Sequence, residues 1–323
     1  MQTREIDATV LETVLTAAAA APSIHNTQPW RFTMDPVTGT LQVRLDRRRA
    51  LPLADPMYRA QYLSVGAALL NLRVAVAQLG LEPVIRLLPD PRGDADLLAT
   101  VQLTPATGEL PDLRWLYPAI ARRRTSRMPF TGRPVPEPVV MDLAAAARAE
   151  GARLYVPDIA RTRRLLRLTA EAETRNRAFA SRTAETRNWI TAPGSHLGYG
   201  IPVTALGPQD TAGRMPMRDF TGPLPALRLP ALRFERHVQV ALLWTAHDRP
   251  VDWLRAGQGL ERVLLTATTR GVRTSMLHQV MEWPDLRAAA RLPQRRCSPQ
   301  LVIRFGYGPD GARTPRASLD LDD

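Results

Sequence analysis

Ala21-Pro22-Ser23-Ile24-His25-Asn26-Thr27-Gln28-Pro29-Trp30 is the most informative stretch of the 323-residue chain. Pro22 ends the helix before it, Ser23 and Asn26 form side-chain turns, and Trp30 begins a buried strand. As local structure this is a helix-exit loop. The same residues also hold a dense set of amide and hydroxyl groups on a stiff turn. Such groups can hydrogen-bond a flat heterocycle that carries several carbonyl and ring-nitrogen positions. Both readings stand at this point.

Upstream, Thr9 to Ala20 reads as a helix opened by a Thr9-x-x-Glu12 capping box. Downstream, the alternation Leu41-Gln42-Val43-Arg44-Leu45 reads as a strand. Pro56 to Leu79 is the longest helical pattern, with Gly80 at its C-terminal cap and Pro83 just beyond. Strands are expected at Val84 to Leu88 and Leu98 to Leu103. A second half begins near Pro118, giving domains 1–112 and 113–323. It holds a helix over Glu137 to Glu150 stopped by Gly151, a strand over Arg153 to Val156, and an arginine-rich, mostly helical run from Asp158 to Trp189. Pro193 to Pro230 has no period and is too long for an ordinary connection. Val238 to Trp244 is an apolar strand, Val251 to Arg270 a helix stopped by Gly271, and Leu301 to Phe305 a late strand.

The halves resemble each other. A shift of 191 residues lays Gly66 on Gly257, Gly80 on Gly271, Leu63 on Leu254, Leu69 on Leu260 and Tyr62 on Trp253. Each copy has a strand, a long helix, a glycine stop and a strand, which points to duplication.

Composition narrows the class. Apolar residues are 45% and charged residues 23%, which excludes wholesale disorder. No apolar run approaches the roughly 18 residues of a membrane span, and the N-terminus lacks the order of a signal peptide. Cys297 is the lone cysteine, so a reducing cytoplasm is expected. The net charge of +12 comes entirely from arginine among the basic residues, scattered and without a nucleic-acid-binding motif, so no nucleic-acid partner is expected.

Several chemistries fail on spacing. His25, His196, His237, His247 and His278 form no pair at metal-ligand spacing, so no metal is expected. Gly306-Tyr307-Gly308-Pro309-Asp310-Gly311 matches G-x-G-x-x-G, but a proline interrupts it and too little chain follows for a βαβ unit. Gly194-Ser195-His196 lacks the strand-turn-helix setting of a nucleophile elbow. What survives beside the first loop is Arg122-Arg123-Arg124-Thr125-Ser126-Arg127, followed by Phe130. It is either a solvated basic turn or a phosphate clamp, since guanidinium forks bind phosphate bidentately and a hydroxyl can add to them.

Together these residues resemble the nitroreductase family of FMN-dependent flavoproteins. Pro22, Ser23, Asn26, Gln28, Pro29 and Trp30 match that family's proline-serine-x-x-asparagine-x-glutamine-proline-tryptophan loop. Arg123, Arg124, Thr125 and Arg127 match its arginine turn, with threonine for serine. Phe305-Gly306-Tyr307-Gly308, with Arg316 beyond, looks like its final strand and phosphate-contacting tail. The family places the turn before the loop; here the loop lies in the first half and the turn in the second. A fused, diverged dimer that keeps one copy of each motif accounts for this order. It also matches the double-length Acg-type branch.

The resemblance implies an α+β, nitroreductase-like fold duplicated in one chain as a pseudo-dimer, its mainly antiparallel sheet wrapped by helices, with no obligate homodimer. FMN would lie between the halves. Arg123, Arg124, Thr125, Arg127 and Arg316 would hold its phosphate, with Gly306 on the adjoining strand. Pro22, Ser23, Asn26 and Gln28 would serve the ring side. Leu277, His278 and Gln279 would approach its reactive edge, Arg127 would supply electrostatic stabilisation, and the aperiodic Gly207 to Leu232 would form a lid. The implied reaction passes two electrons from NAD(P)H through FMN to a small electron-poor acceptor. Sequestration of FMN beneath the lid, or a biosynthetic flavin-dependent oxidase or dehydrogenase, are the alternatives.

Overall fold

An aspartate opens the first helix. In the computed structural model, which describes residues 7–35, 37–108, 112–192, 195–221, 229–292 and 297–318, α1 (Ala8–Ala19) is capped by Asp7. The Asp7 carboxylate accepts the Thr9 N–H at 2.9 Å. Thr9 therefore sits inside the first turn and the expected Thr9-x-x-Glu12 box does not form, because aspartate is at least as good a cap as threonine.

The loop after α1 leads into β1 (Trp30–Asp35) and β2 (Thr40–Leu45), then α2 (Arg59–Gln78), β3 (Leu81–Leu87) and β4 (Leu97–Pro105). These strands form one antiparallel sheet in the order β1-β2-β4-β3. After α3 (Tyr117–Arg122) come α4 (Glu137–Ala149), β5 (Arg153–Tyr155), α5 (Ile159–Ala178) and α6 (Ala180–Arg187). Among its described residues, the aperiodic stretch takes part in two-residue parallel ladders, β6 (Ile190–Thr191) with β7 (Ile201–Pro202) and β8 (Gln209–Asp210) with β9 (Ala231–Leu232), and forms a 3₁₀ turn at Val203–Ala205. Then follow β10 (Val240–Thr245), α7 (Pro250–Thr269), β11 (Arg273–Leu277), α8 (Pro284–Ala289) and β12 (Ser298–Gly306). The second sheet is also antiparallel, with the order β5-β10-β12-β11.

The polar Thr274 and Ser275 hide β11 from a periodicity reading, which takes this stretch as a helix exit. They pair with Phe305 and Arg304 on β12, and a 3₁₀ turn over Gln279–Glu282 follows. The second sheet is covered on both faces. Ala241, Leu243, Leu301, Ile303 and Phe305 join one core, while Val240, Leu242 and Val302 join another under α5. Two-sided burial is why β10 reads as an unbroken apolar run.

By length and composition α2 could cross a bilayer, contrary to the expectation that no run approaches that size. It is mostly buried between the two halves and serves as a core helix. It crosses α7 so closely that only glycine fits. A Cβ on Gly66 would lie 2.2 Å from the Leu254 carbonyl oxygen, and one on Gly257 would lie 2.1 Å from that of Leu63. The two contacts are reciprocal. Tyr62 and Trp253 meet edge to face beside them, with ring centroids 5.7 Å apart. Leu254 and Leu265 of α7 lie in the first half's core, while Leu63 of α2 lies in the second's.

Gly257→Ala should therefore destabilise the protein by about 3 kcal/mol, since the clash with backbone outweighs alanine's gain in helix propensity of about 1 kcal/mol. Gly132→Ala, where a Cβ meets nothing within 4 Å, should change the denaturation midpoint little. Equal midpoints for the two variants would show that the helices part at no cost.

Candidate functional site

The loop between α1 and β1 is held in an unusual shape. His25, Asn26 and Gln28 have φ of 49°, 55° and 50°, left-handed values that cost a non-glycine residue about 1–2 kcal/mol each. Side chains offset this. Ser23 Oγ accepts the Gln28 N–H at 2.9 Å, and Asn26 Nδ2 donates to the carbonyls of Gly200 and Pro315 at 2.8 and 3.0 Å. Gln28 Nε2 donates to Gly198 O at 2.7 Å while its Oε1 accepts the Ala317 N–H at 3.0 Å. Arg316 closes the arrangement by donating to Asn26 Oδ1 at 3.0 Å and to the Ala20 carbonyl at 2.9 Å. Asn26, Gln28 and Arg316 thus tie the loop to the chain's late tail.

The arginine turn follows α3. Thr125 bridges to Thr274, and the Ser126 N–H donates to Thr274 O at 2.9 Å, pinning the turn to β11. Loop, turn and β11 line two adjoining cavities of about 100 and 320 Å³. Pro22, Ser23, His25, Thr125, Arg127 and Met276 line both, so the walls come from both halves of the chain.

The cavities differ in character. The first is mainly apolar, with Ile24, Leu63, Met217, Phe220, Leu260 and Leu277 in its wall. Among the described residues, the second is lined by Arg123, Arg124, Arg127, Arg313 and Arg316, and by no aspartate or glutamate. Among the described residues Arg127 has no carboxylate partner; it donates to the Ala205 carbonyl at 2.7 Å and lies over the Phe220 ring. Burial and the Arg218 charge pull its pKa down to about 10. Burial, helped by Arg123, brings Arg316 to about 9, and burial with Arg313 and Arg123 lowers Arg124. Five cations walled together favour an anion.

The other expected residues fall in two groups. Leu277, His278 and Gln279 line the apolar cavity. Gln28 and Gly306 line neither cavity; Gly306 ends β12 against the Phe130 ring. His278 is engaged on both sides, Nδ1 3.3 Å from Glu282 and Nε2 3.1 Å from Arg59. Burial opposes charge on Glu282, yet Arg218 and His278 hold its carboxyl well below the usual carboxylate range.

The described part of the expected lid, 207–221 and 229–232, is anchored by side chains; 222–228 lie outside the described residues. Met215 and Met217 are buried in the core under α5, Arg218 pairs with Glu282, and Met217, Arg218 and Phe220 face the apolar cavity. Sequence reasoning named none of these, nor His25 as a wall residue. His25 stood within the informative loop, but the histidines were weighed only as metal pairs.

No family model matches the chain. It is similar to "Putative NAD(P)H nitroreductase Rv3131" of Mycobacterium tuberculosis, 33% identical over 325 residues covering 99% of this chain and 92% of the relative. It is also similar to "Putative NAD(P)H nitroreductase acg" of the same organism, 30% identical over 96% of this chain and 92% of the relative. Among solved structures, the FMN-dependent nitroreductase NfnB of Mycobacterium smegmatis in complex with NADPH aligns at 19% identity and a TM-score of 0.40, covering 64% of this chain and 96% of that one.

Behind the cationic cavity, Glu261 of α7 is wholly buried, 3.6 Å from Arg123 Nε. Burial pushes it up to about 7 against the pull of Arg123 and Arg316. The folded protein thus keeps a proton that the unfolded chain releases near the ordinary 4.5, so stability falls as pH rises between those values. Glu261→Gln removes that proton exchange. Its urea midpoint should gain on the native protein's between about pH 5 and pH 8; parallel midpoints would show that Glu261 titrates normally.

Proposed function

The chain belongs to the nitroreductase family, in its Acg-type branch, and from that premise we propose that it is an FMN-dependent NAD(P)H oxidoreductase. The observation that carries this reading is the pairing of an apolar cavity with an adjoining cavity that, among the described residues, holds five arginines and no carboxylate. An uncharged ring system joined to a phosphate dianion fits that division. Arg123, Arg124, Thr125 and Arg127 would hold the phosphate, with Arg313 beside them. Pro22, Ser23 and Leu277 would border the ring, with Asn26, Gln28 and Arg316 clamping the loop and tail that enclose it.

When bound, FMN supplies hydride chemistry between nicotinamide and an acceptor. The balanced reaction is NAD(P)H plus a proton plus an electron-poor acceptor, such as a quinone, giving NAD(P)⁺ and the two-electron-reduced acceptor. The protein's part is to position, to exclude water, and to favour negative charge through the uncompensated Arg127. No nucleic acid or membrane takes part in this reading, and the cytoplasm is its setting.

The two halves, 1–112 and 113–323, are read as a fused pseudo-dimer, which makes a second subunit unnecessary. Three features support this. The sheets share one strand order; the bulges at Val43/Arg44 and Leu243/Trp244 fall at the same place in β2 and β10; and the α2–α7 contacts are reciprocal. A second reading, sequestration of FMN with little turnover, draws on the buried Arg218–Glu282 pair that pins the stretch from Met217 to Phe220 against the ring cavity. Steady-state NAD(P)H oxidation by the loaded protein separates the two.

One FMN per chain is expected, because each half retains a different motif; flavin released on denaturation, divided by protein, measures it, and a ratio near two would overturn the single-site reading. Arg124→Ala should weaken FMN binding ten- to a hundred-fold, the loss of about 1.5–3 kcal/mol from a charge-assisted contact. Arg124 is a cleaner probe than Arg123, which also faces Glu261. The exposed Arg148→Ala is the control, and equal flavin retention in both variants would remove the clamp.

A further inference from the structure

We propose that His25 recognises the acceptor: its imidazole Nε2 donates a hydrogen bond to the oxygen of a nitro or quinone group held in the apolar cavity. The inference rests on the flavoenzyme reading above and adds to it a residue that recognises the acceptor. His25 is 8% exposed and lines both cavities, yet among the described residues its buried Nε2 has no hydrogen-bond partner. Buried polar atoms are rarely left so.

Several other polar side chains of that cavity are already engaged, while the hydroxyls of Thr125 and Ser275 also line it. Ser23 accepts the Gln28 N–H, Ser64 donates to the Ala60 carbonyl, Gln279 donates to Pro216 O, Arg218 pairs with Glu282, and His278 lies between Glu282 and Arg59. The His25 ring is held in place. Its backbone keeps a left-handed φ of 49°, and Phe220 meets the ring edge to face at 5.7 Å. Arg127 lies over the same Phe220 ring, 5.2 Å from its centroid. A neutral donor and an uncompensated cation thus flank one aromatic wall.

Burial and the Arg218 charge keep His25 well below its ordinary pKa, so the imidazole stays neutral. A neutral N–H suits an oxygen that is uncharged in the bound acceptor and gains negative charge as hydride adds. A quinone takes that hydride from NAD(P)H by way of the cofactor and one proton from solvent, becoming the hydroquinone. His25 gains and loses no proton. Alkyl-substituted rings without an oxygen receive nothing from it.

The test uses the oxidised, FMN-loaded full chain and two variants. His25→Phe keeps an aromatic ring against Phe220 without the nitrogen, and His25→Asn keeps a donor and tolerates the left-handed backbone. By calorimetry, the dissociation constant of nitrobenzene should rise about tenfold in His25→Phe and less than threefold in His25→Asn. That of cumene, similar in shape but without oxygen, should not change. In turnover, kcat/KM for benzoquinone should fall at least tenfold in His25→Phe while ferricyanide, an outer-sphere electron acceptor, is reduced at the native rate. Unchanged nitrobenzene binding in His25→Phe, equal losses for nitrobenzene and cumene, or loss of FMN from this variant would each overturn the proposal. Absence of turnover in the native protein would sink the proposed reaction and leave the binding result to judge His25.

Discussion

Two helix backbones in contact at Gly66 and Gly257 set the geometry of everything else. Without side chains between them, α2 and α7 approach closely enough for each to lend leucines to the other half's core. The two sheets are thereby fixed relative to one another, and so are the loop after α1 and the turn after α3. Both cavities take walls from both halves, so their shape follows from this one crossing. Elsewhere the junction is tied by charge: Glu150, at the end of α4, pairs with Arg73 of α2 and with Arg262 of α7.

The use of arginine as the sole basic residue other than histidine has a structural side. Arg304 is fully buried, forks onto Glu235 at 2.7 and 2.6 Å, and stacks 3.7 Å from the Phe130 centroid. Arg59 donates to the carbonyl and side chain of Gln300 and to His278. Only a planar fork with several donors satisfies so many buried partners at once. The cationic cavity departs from this pattern: Arg123 has Glu261 behind it at 3.6 Å, but among the described residues Arg127 has no carboxylate partner and the cavity's lining carries none. A fold that compensates its buried charges elsewhere leaves this set open.

Much of this arrangement is readable from local sequence. The long helices, their glycine stops at Gly80 and Gly271, and most strands follow from periodicity and turn chemistry. Gly66 and Gly257 stand out as a pair once the halves are aligned, although why glycine is needed depends on the tertiary crossing. The misses have physical causes. Strand β11 escapes a periodicity reading because the adjacent Thr274 and Ser275 put a polar side chain on each face of this edge strand. Asp7 won the helix cap over Thr9. Asn26 and Gln28 look like ligand-binding amides in one dimension; their side-chain bonds to Gly198, Gly200 and the tail appear only when residues far apart in sequence meet. The same holds for Arg218 and Phe220, whose aperiodic surroundings carry no signal of what they cover.

The clasp between the first loop and the tail bears on how the site is assembled. Asn26 and Arg316 are separated by 290 residues, so their contact is among the most non-local in the molecule. Closing so long a loop gains nothing until the intervening cores have formed. The left-handed turn gains the side-chain bonds that offset its cost only once residues 315–317 have reached it. The wall that loop and tail form together therefore depends on both cores being in place.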